Sequence, residues 1–157
     1  MTYSSLRDFI EKLESTGNLV RISEPVSADL EMTEIGRRTL AKGGPALLFE
    51  NVVKCDGSKS NMPVLTNLFG TVERVAMGMN ATAQELRGIG ETLAELRQPE
   101  PPRGFKDALD KLPILKKAMT MRPKTVKSGP VQTLVMTGDD IDLNALPIQK
   151  CWPNDAS

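Results

Sequence analysis

Length, composition and charge indicate a globular chain without an extreme character. The 157 residues suffice for one domain, or for one domain and part of another. Twenty basic residues balance 20 acidic ones, which excludes a global field that attracts nucleic acid or membranes. The chain has no histidine, which excludes Ser-His and Cys-His nucleophile pairs and most zinc sites. Because there is neither a membrane-spanning apolar run nor a signal peptide, we expect a cytoplasmic protein.

The first helix and the first strand are predicted between residues 5 and 25. Ser5 is placed to cap the helix by accepting a hydrogen bond from the amide of Asp8. Its apolar stripe, at helical spacing, comprises Leu6, Phe9, Ile10 and Leu13. Gly17 is expected to end the helix in the left-handed conformation. Leu19–Ile22 then forms a strand, which Pro25 is expected to end.

A second helix and two buried strands form the predicted centre of the fold. Asp29 is expected to cap a helix from Leu30 to about Ala41, which ends at Gly43–Gly44. Ala46–Phe49 is uniformly apolar and too short for a helix, so it predicts a strand buried on both faces. Val64–Leu65 begins the next strand. The order strand, helix, strand predicts a crossover in a parallel or mixed sheet. The inward residues of this helix are expected to be Leu30, Ile35 and Leu40.

Two further helices are predicted after the sheet. Thr71 is placed to cap a short one, and Thr82 with Glu85 forms a capping box for a longer one that ends near Arg97. The inward side of the short helix comprises Val72, Val75, Ala76 and Met79. The stripe of the longer helix comprises Leu86, Ile89, Leu93 and Leu96.

The remaining third of the chain changes in character. Pro99–Pro102 ends the last long helix, and short helical pieces are expected at Phe105–Leu112 and Pro113–Met119. The extended pieces predicted after them are Val131–Met136, Ile141–Leu146 and Pro147–Trp152. Since these pieces cannot form a core alone, we interpret them as the beginning of a second domain.

An acidic cluster is the candidate metal site. Asp139 precedes the series Asp140, Asp142 and Asn144, whose spacing is similar to the opening of a calcium loop. The position that needs glycine is occupied by Ala145, and no acidic closing ligand follows. We therefore interpret the cluster as a solvated turn.

Glycine pairs, surface charges and cysteines offer no stronger site. Gly43–Gly44 and the pair Gly88 and Gly90 complete neither the dinucleotide nor the phosphate-loop pattern. Cys55 and Cys151 are able to pair in principle, but without a secretion signal free thiols are the preferred interpretation. The charged residues predicted on exposed helical faces are Glu31, Glu34, Glu73 and Arg74.

A basic run without acidic residues is the candidate binding segment. It comprises Lys116, Lys117, Arg122, Lys124 and Lys127. Such a run is able to contact an anionic lipid surface, a nucleic acid or an acidic domain. Few aromatic residues accompany it, which argues against binding of single-stranded nucleic acid. A solvated interdomain segment is the first interpretation, and a binding role is the alternative.

Several longer motifs are similar to those of a known enzyme family. They comprise Gly43–Asn51, Met62–Gly70, Arg74–Met79, Pro99–Pro102, Asp110–Pro113 and Cys151–Ala156. Together they resemble the N-terminal region of the UbiD family of carboxy-lyases, and most closely its ubiquinone-pathway branch. The similarity runs from the first helix to the last residues.

The resemblance implies an activity that these residues alone do not carry. The implied enzyme is a non-oxidative decarboxylase of 3-polyprenyl-4-hydroxybenzoate, an aromatic acid, and it uses prenylated FMN with manganese. It is expected to be a homo-oligomer without a nucleic-acid partner. The family's metal ligands, flavin-contacting segments and catalytic residues fall beyond Ser157. No catalytic, cofactor-binding or metal-binding residue is therefore assigned to this chain, and we expect it to bind none of these cofactors alone.

Residues and resemblance together predict an α/β (mixed α+β) fold. Residues 1–120 are expected to form a small sheet flanked by helices, and residues 121–157 a linker and the first strands of a split-barrel-like flavin-binding domain. The chain is then an N-terminal scaffold of the decarboxylase and is inactive alone. Contact of the basic run with the inner face of the cell membrane is the hypothesis for the alternative, in which the run has a binding role. The alternative is a stand-alone interaction or oligomerisation module, in which Val131–Trp152 pairs with a partner or with its own copy.

Overall fold

The chain combines a small sheet with flanking helices, which confirms the mixed α/β class. The computed structural model describes residues 3–97, 104, 109, 112–113, 116, 119 and 123–155. The chain divides into two compact units, one made of Met1–Ala83 with Asp139–Ser157 and one made of Gln84–Gly138. Within the described residues, no helix has both the length and the apolar character needed to cross a bilayer.

Helix α1 spans Leu6–Ser15 and begins as predicted. The hydroxyl oxygen of Ser5 accepts a hydrogen bond from the amide of Asp8 at 3.3 Å. This bond satisfies one of the amides that the first turn leaves without a partner in the helix. The buried residues of its apolar stripe are Phe9 and Leu13. Leu6, in contrast, is 55% exposed, so it does not belong to the core.

Three strands form one sheet in the order β1-β2-β3. Their bounds are Leu19–Ser27, Ala46–Val53 and Val64–Thr66. β1 is parallel to β2, as the predicted crossover requires, and β3 is antiparallel to β2. The prediction that Pro25 ends the first strand is wrong, because β1 continues beyond a register irregularity between Ile22 and Pro25. β1 lies at the edge of the sheet, where a residue without an N–H is tolerated.

Helix α2, Glu31–Ala41, connects β1 to β2, and its predicted cap is wrong. The cap residue is Leu30, with a positive φ of 67°, and no side chain makes a capping hydrogen bond. Asp29 pairs instead with Lys150 from the distant end of the chain. The long-range contact between Asp29 and Lys150 therefore takes the place of the predicted capping bond before α2. Gly43 follows the helix with a left-handed backbone (φ 63°), as predicted.

Strand β2 separates two apolar clusters. The cluster that includes Met32 of α2 comprises Val26, Ala28, Met32, Leu47, Phe49 and Val52. The cluster that includes α1 comprises Phe9, Leu13, Leu19, Ala46 and Leu48. Because successive side chains of a strand point to opposite faces, β2 contributes to both, and Ala46–Phe49 is buried throughout, as predicted. Leu40, predicted in the core, is 46% exposed.

Helices α3 and α4 follow the sheet at the predicted positions. α3 spans Val72–Gly78, and the hydroxyl oxygen of Thr71 caps it by accepting a hydrogen bond from the amide of Arg74 at 3.3 Å. α4 spans Glu85–Arg97 and buries none of its residues. The inward face predicted for α3 is wrong in part, because Arg74 is buried there. The exposed members of the predicted face are Val72 and Met79.

Short 3-10 helices lie within the first two extended pieces predicted near the end of the chain and between those pieces. They span Pro130–Gln132, Gly138–Asp140 and Leu143–Ala145. Pro130 lacks an N–H for a strand ladder and has the fixed φ of a turn, so a 3-10 turn forms where Val131–Met136 was predicted as a strand. The helical pieces predicted at Phe105–Leu112 and Pro113–Met119 lie for most of their length outside the described residues.

Candidate functional site

A cleft of about 610 Å³ lies within the first unit. One side comes from the loop that follows β2, Lys54–Asp56, and the other from residues between Leu143 and Asp155. No local sequence pattern predicts a contact between these two stretches, which lie about ninety residues apart in the chain. The cleft exists because the end of the chain docks against the α/β core.

A short segment, Gln149–Cys151, makes the docking contacts, and we refer to it as the docked segment. The amide of Lys150 donates a hydrogen bond to the carbonyl of Ala28 at 2.9 Å. The hydroxyl of Thr33 donates to the carbonyl of Lys150 at 2.7 Å, and the same hydroxyl accepts from the side-chain amide of Gln149 at 2.7 Å. Main-chain and side-chain polar groups of the docked segment are thus matched to α2 and to the end of β1.

Two lysines border the cleft, and both already have partners. The Lys150 Nζ lies 3.4 Å from the Asp29 Oδ1. The Lys54 Nζ donates to the carbonyl of Asn144 at 2.9 Å and lies 3.7 Å from the Asp56 Oδ2. Both side chains are mostly buried, since 19% of the Lys150 side chain and 17% of the Lys54 side chain is exposed. Since a partly buried charge needs a partner, these pairs tie the segment to the core rather than present an open anion site.

A turn follows the docked segment and is held by one carboxylate. The Asp155 Oδ2 accepts hydrogen bonds from the amides of Cys151 at 3.2 Å and of Trp152 at 2.9 Å. The indole of Trp152, the only tryptophan in the sequence, is 69% exposed. Asp155 therefore acts as a structural acceptor, and the aromatic ring beside it faces outward.

The acidic cluster is divided between two 3-10 helices. Asp139 and Asp140 belong to the first, and Asp142 caps the second, with its carboxylate accepting from the amide of Asn144 at 2.9 Å. Within the part of the chain that the structure describes, no three side chains of the metal-binding types converge. Asp142 is a capping residue of the solvated turn that the sequence indicates.

The two cysteines differ in environment and are free thiols. Cys55 is half-buried beside the cleft, where its Sγ lies 3.8 Å from the carbonyl of Ile148. Cys151 is exposed. The residue directly before the docked segment, Ile148, thus contacts one thiol, and the other thiol is exposed.

The structure describes only part of the basic run. Lys116, Lys124 and Lys127 are exposed, whereas Lys117 and Arg122 lie outside the described residues. The exposed members leave both interpretations of the run open, because a solvated linker and a binding segment each require accessible charges.

The surface charges predicted on α2 are where the sequence places them. Glu34 receives hydrogen bonds from the guanidinium groups of Arg37 and Arg38, and these bonds lower the pKa of its carboxyl group to about 2. The carboxylate of Glu31 accepts from the amide of Ser27 at 2.8 Å. Both glutamates act locally on the helix and on the adjacent strand end.

Arg74 is the residue that sequence reasoning placed wrongly. It was predicted on an exposed face, but it is 1% exposed. Its Nε donates to the carbonyl of Leu68 at 3.2 Å and one Nη to that of Asn67 at 3.1 Å. Burial lowers the pKa of the guanidinium, and the charge of Glu73 opposes this shift. The sequence feature that accompanies this burial is Gly70. Any larger residue there would crowd the guanidinium, because an added Cβ would lie 2.8 Å from the Arg74 Nη2.

The described residues do not fit the flavin and the metal that the resemblance implies. The polar groups of the cleft are used in contacts within the chain, and the described residues contain no cluster of metal ligands. The buried hydroxyl of Thr66, which has no hydrogen-bond partner, lies beside Gly36, where an added Cβ would be 3.8 Å from it. No chemical step is assigned to these residues.

Two family models match the chain. Residues 10–93 match the 3-octaprenyl-4-hydroxybenzoate carboxy-lyase N-terminal domain. Residues 124–157 match the Rift-related domain of the same carboxy-lyase. The first match alone covers more than half of the 157 residues.

Solved structures of UbiD-class enzymes are similar to part of the chain. An evolved dimeric form of HmfF from Pelotomaculum thermopropionicum, in complex with prFMN, is 29% identical, with a TM-score of 0.49 over 64% of this chain and 22% of that one. Vanillic acid decarboxylase from Sedimentibacter hydroxybenzoicus in its open form is 30% identical, with a TM-score of 0.45 over 53% and 17%. The chain thus spans about a fifth of the length of these relatives. On the two family models, the chain belongs to the UbiD family of carboxy-lyases.

Proposed function

We propose that this chain is the N-terminal part of a non-oxidative decarboxylase that depends on prenylated FMN. The observation that carries the proposal is the pair of family models, which cover residues 10–93 and 124–157 in the order N-terminal domain and Rift-related domain. Residues 1–120 are the N-terminal domain in this proposal, and residues 121–157 are a linker and the beginning of the flavin-binding domain. The complete enzyme is a homo-oligomer that uses manganese.

The proposed substrate is 3-polyprenyl-4-hydroxybenzoate, and the reaction belongs to ubiquinone biosynthesis. This assignment is supported by the name of the matching family models and by the motifs that resemble the ubiquinone-pathway branch. Decarboxylation leaves a carbanion-like centre, and the flavin supplies the stabilisation of that centre when it is bound. The residues of this chain contribute scaffold and domain contacts, so the chain alone is inactive.

We expect the 157-residue chain and the complete protein to differ in both cofactor content and activity. After incubation with prenylated FMN and gel filtration, the complete protein retains flavin absorbance and releases CO₂ from 3-polyprenyl-4-hydroxybenzoate. The chain alone shows neither, because the two lysines that border its cleft are already paired within the fold. Flavin retention and CO₂ release by the chain alone would contradict the scaffold role, and an inactive complete protein would contradict the decarboxylase assignment.

A stand-alone association module is the second candidate function. The observation that favours it is the exposure of large apolar side chains near the end of the chain. These include Leu134 at 71%, Val135 at 72%, Leu143 at 71%, Ile148 at 66% and Trp152 at 69%. Exposed apolar surface of this kind favours association. Light scattering on the same chain preparation distinguishes the candidates, since a concentration-independent monomer is incompatible with the module.

We also propose that the basic run brings the complete enzyme to an anionic membrane surface. Each basic residue near such a surface contributes about 1 kcal/mol, so reversing three charges is expected to lower vesicle binding at least about tenfold. The variant carries Lys116→Glu, Lys117→Glu and Lys124→Glu and is measured by co-sedimentation with phosphatidylserine vesicles. The matched control reverses three exposed lysines elsewhere, Lys12, Lys42 and Lys59. Equal binding of the first variant and the unchanged protein would remove this part of the proposal.

A further inference from the structure

A residue from the second family domain forms a bridge to the chain directly after the edge strand of the sheet. β1 is an edge strand, since the strand order is β1-β2-β3. An isolated parallel bridge joins Asp29, just after β1, to Lys150. Lys150 lies within the match to the Rift-related domain, and Asp29 lies within the match to the N-terminal domain. Open strand edges invite unwanted pairing, so covering them is a common requirement of sheet proteins.

The bridge uses the carbonyl of a buried residue whose amide is bonded to β2. Ala28 is fully buried, and its amide donates to the carbonyl of Val53 in β2 at 2.7 Å. Its carbonyl accepts from the amide of Lys150 at 2.9 Å and from that of Leu30 at 3.2 Å. Ala28 thus joins the docked segment to the chain directly after β1.

Thr33 of α2 is the side chain that fixes this pair. Its hydroxyl donates to the carbonyl of Lys150 at 2.7 Å and accepts from the side-chain amide of Gln149 at 2.7 Å. A hydroxyl has one proton to donate and lone pairs to accept, so both capacities are used. The two hydrogen bonds of the Thr33 hydroxyl thus fix the position of the docked segment on the core.

The surrounding contacts are polar and few. The Lys150 Nζ lies 3.4 Å from the Asp29 Oδ1, and the Cys55 Sγ lies 3.8 Å from the carbonyl of Ile148. Neighbouring apolar side chains, including Ile148 and Trp152, are largely exposed. Regions with few buried apolar contacts open at lower free energy than the core. The docked segment is accordingly a unit that is able to open while the two apolar clusters stay intact.

We propose that Gln149–Cys151 is an interdomain latch, in which Thr33 is the positioning residue that holds the Rift-related residues on the edge of the N-terminal sheet. The proposal goes beyond the decarboxylase assignment, because it requires only the contacts within this chain. It assigns to the Ala28–Thr33 surface one occupant, the docked segment. Opening of the latch frees the carbonyl of Ala28 and displaces Ile148, which directly precedes the docked segment and contacts the thiol of Cys55.

The thiol of Cys55 reports the state of the latch. In a Cys151→Ser background, Thr33→Val is expected to raise the rate at which Cys55 reacts with a disulfide reagent about tenfold, because two hydrogen bonds that close the latch are lost. Thr33→Ser keeps the hydroxyl and should restore the slow rate. The control is Thr39→Val, which removes a hydroxyl of the same helix that donates to the carbonyl of Ile35.

Three outcomes would overturn the latch: an unchanged Cys55 rate in a folded Thr33→Val variant, no rescue by Thr33→Ser, or an equal acceleration by Thr39→Val. If Thr33→Val does not fold, hydrogen exchange of the unchanged chain supplies the test. The Lys150 amide should then be protected but should exchange before the Phe49 amide of β2, and an unprotected Lys150 amide refutes the latch. An inactive complete enzyme leaves all these readouts unaffected, so the two proposals fail separately.

Discussion

Replacing Arg74 by alanine is expected to lower the free energy of unfolding by about 3 kcal/mol. The guanidinium is 1% exposed and donates to the carbonyls of Leu68 and Asn67. Alanine leaves both carbonyls without these donors, at about 1–3 kcal/mol each, and also removes the packing of the long side chain. The desolvation of the buried charge, which lowers its pKa, offsets part of this loss.

Urea unfolding followed by circular dichroism measures the effect. Arg74→Met keeps most of the volume and removes the charge but cannot donate, so it is expected to fall between the unchanged chain and Arg74→Ala. The matched control is Arg37→Ala on α2, where the side chain is 67% exposed, and a much smaller loss than for Arg74→Ala is expected. Equal losses for Arg74→Ala and Arg37→Ala would show that the buried guanidinium does not hold the turn before α3.

Phe49→Ala is expected to destabilise the chain by about 3–5 kcal/mol. Phe49 is fully buried in the central strand β2, in the apolar cluster that includes Met32 and Val52. Removal of the ring leaves a cavity that strands paired on both sides cannot fill by moving inward. Phe49→Leu replaces part of the volume and should cost about 1–1.5 kcal/mol.

The control for this core substitution is Phe69→Ala. Phe69 is 55% exposed, and its ring stacks on that of Phe9 with 6.0 Å between the ring centres. About 1 kcal/mol is expected from this contact. The same denaturant measurement compares the two variants, and a loss at Phe49 as small as that at Phe69 would contradict the assignment of β2 as the centre of the core.

The predictions for Arg74 and Phe49 test the folding of the N-terminal domain separately from catalysis. The sheet and its two apolar clusters lie within residues that match the N-terminal domain model. The Rift-related match begins at residue 124, and its docked segment contacts Ala28, directly after β1, and Thr33 of α2. Phe49→Ala removes part of the core, whereas Thr33→Val is expected to release only the docked segment, so the two variants test different contacts.

The resemblance to the carboxy-lyases was readable from the sequence because it rests on long contiguous motifs. Gly43–Asn51 contains most of β2, Met62–Gly70 contains β3, and both motifs fall within the matched N-terminal domain. The cleft was not readable in the same way. Its two sides come from Lys54–Asp56 and from residues after Leu143, and no local pattern connects them.

Features that depend on near neighbours in the chain were predictable from the sequence. Ser5 and Thr71 cap their helices, and Gly17 and Gly43 have the left-handed backbone after theirs, because the bonds and torsions involved lie within a few residues. The uniformly apolar run at Ala46–Phe49 likewise required burial on both faces. Periodicity and capping are local properties, so they are visible without a structure.

Features that depend on contacts formed in the folded chain were visible only in the tertiary structure. Thr33 and Lys150 are 117 residues apart, and their contact assigns Asp29 to a lysine instead of to the cap of α2. The edge position of β1 likewise allows that strand to continue through Pro25. The burial of Arg74 depends on carbonyls that the preceding turn presents to α3. In each case the stabilising free energy comes from a contact that forms only when the chain has folded. Helical or strand periodicity therefore does not predict it.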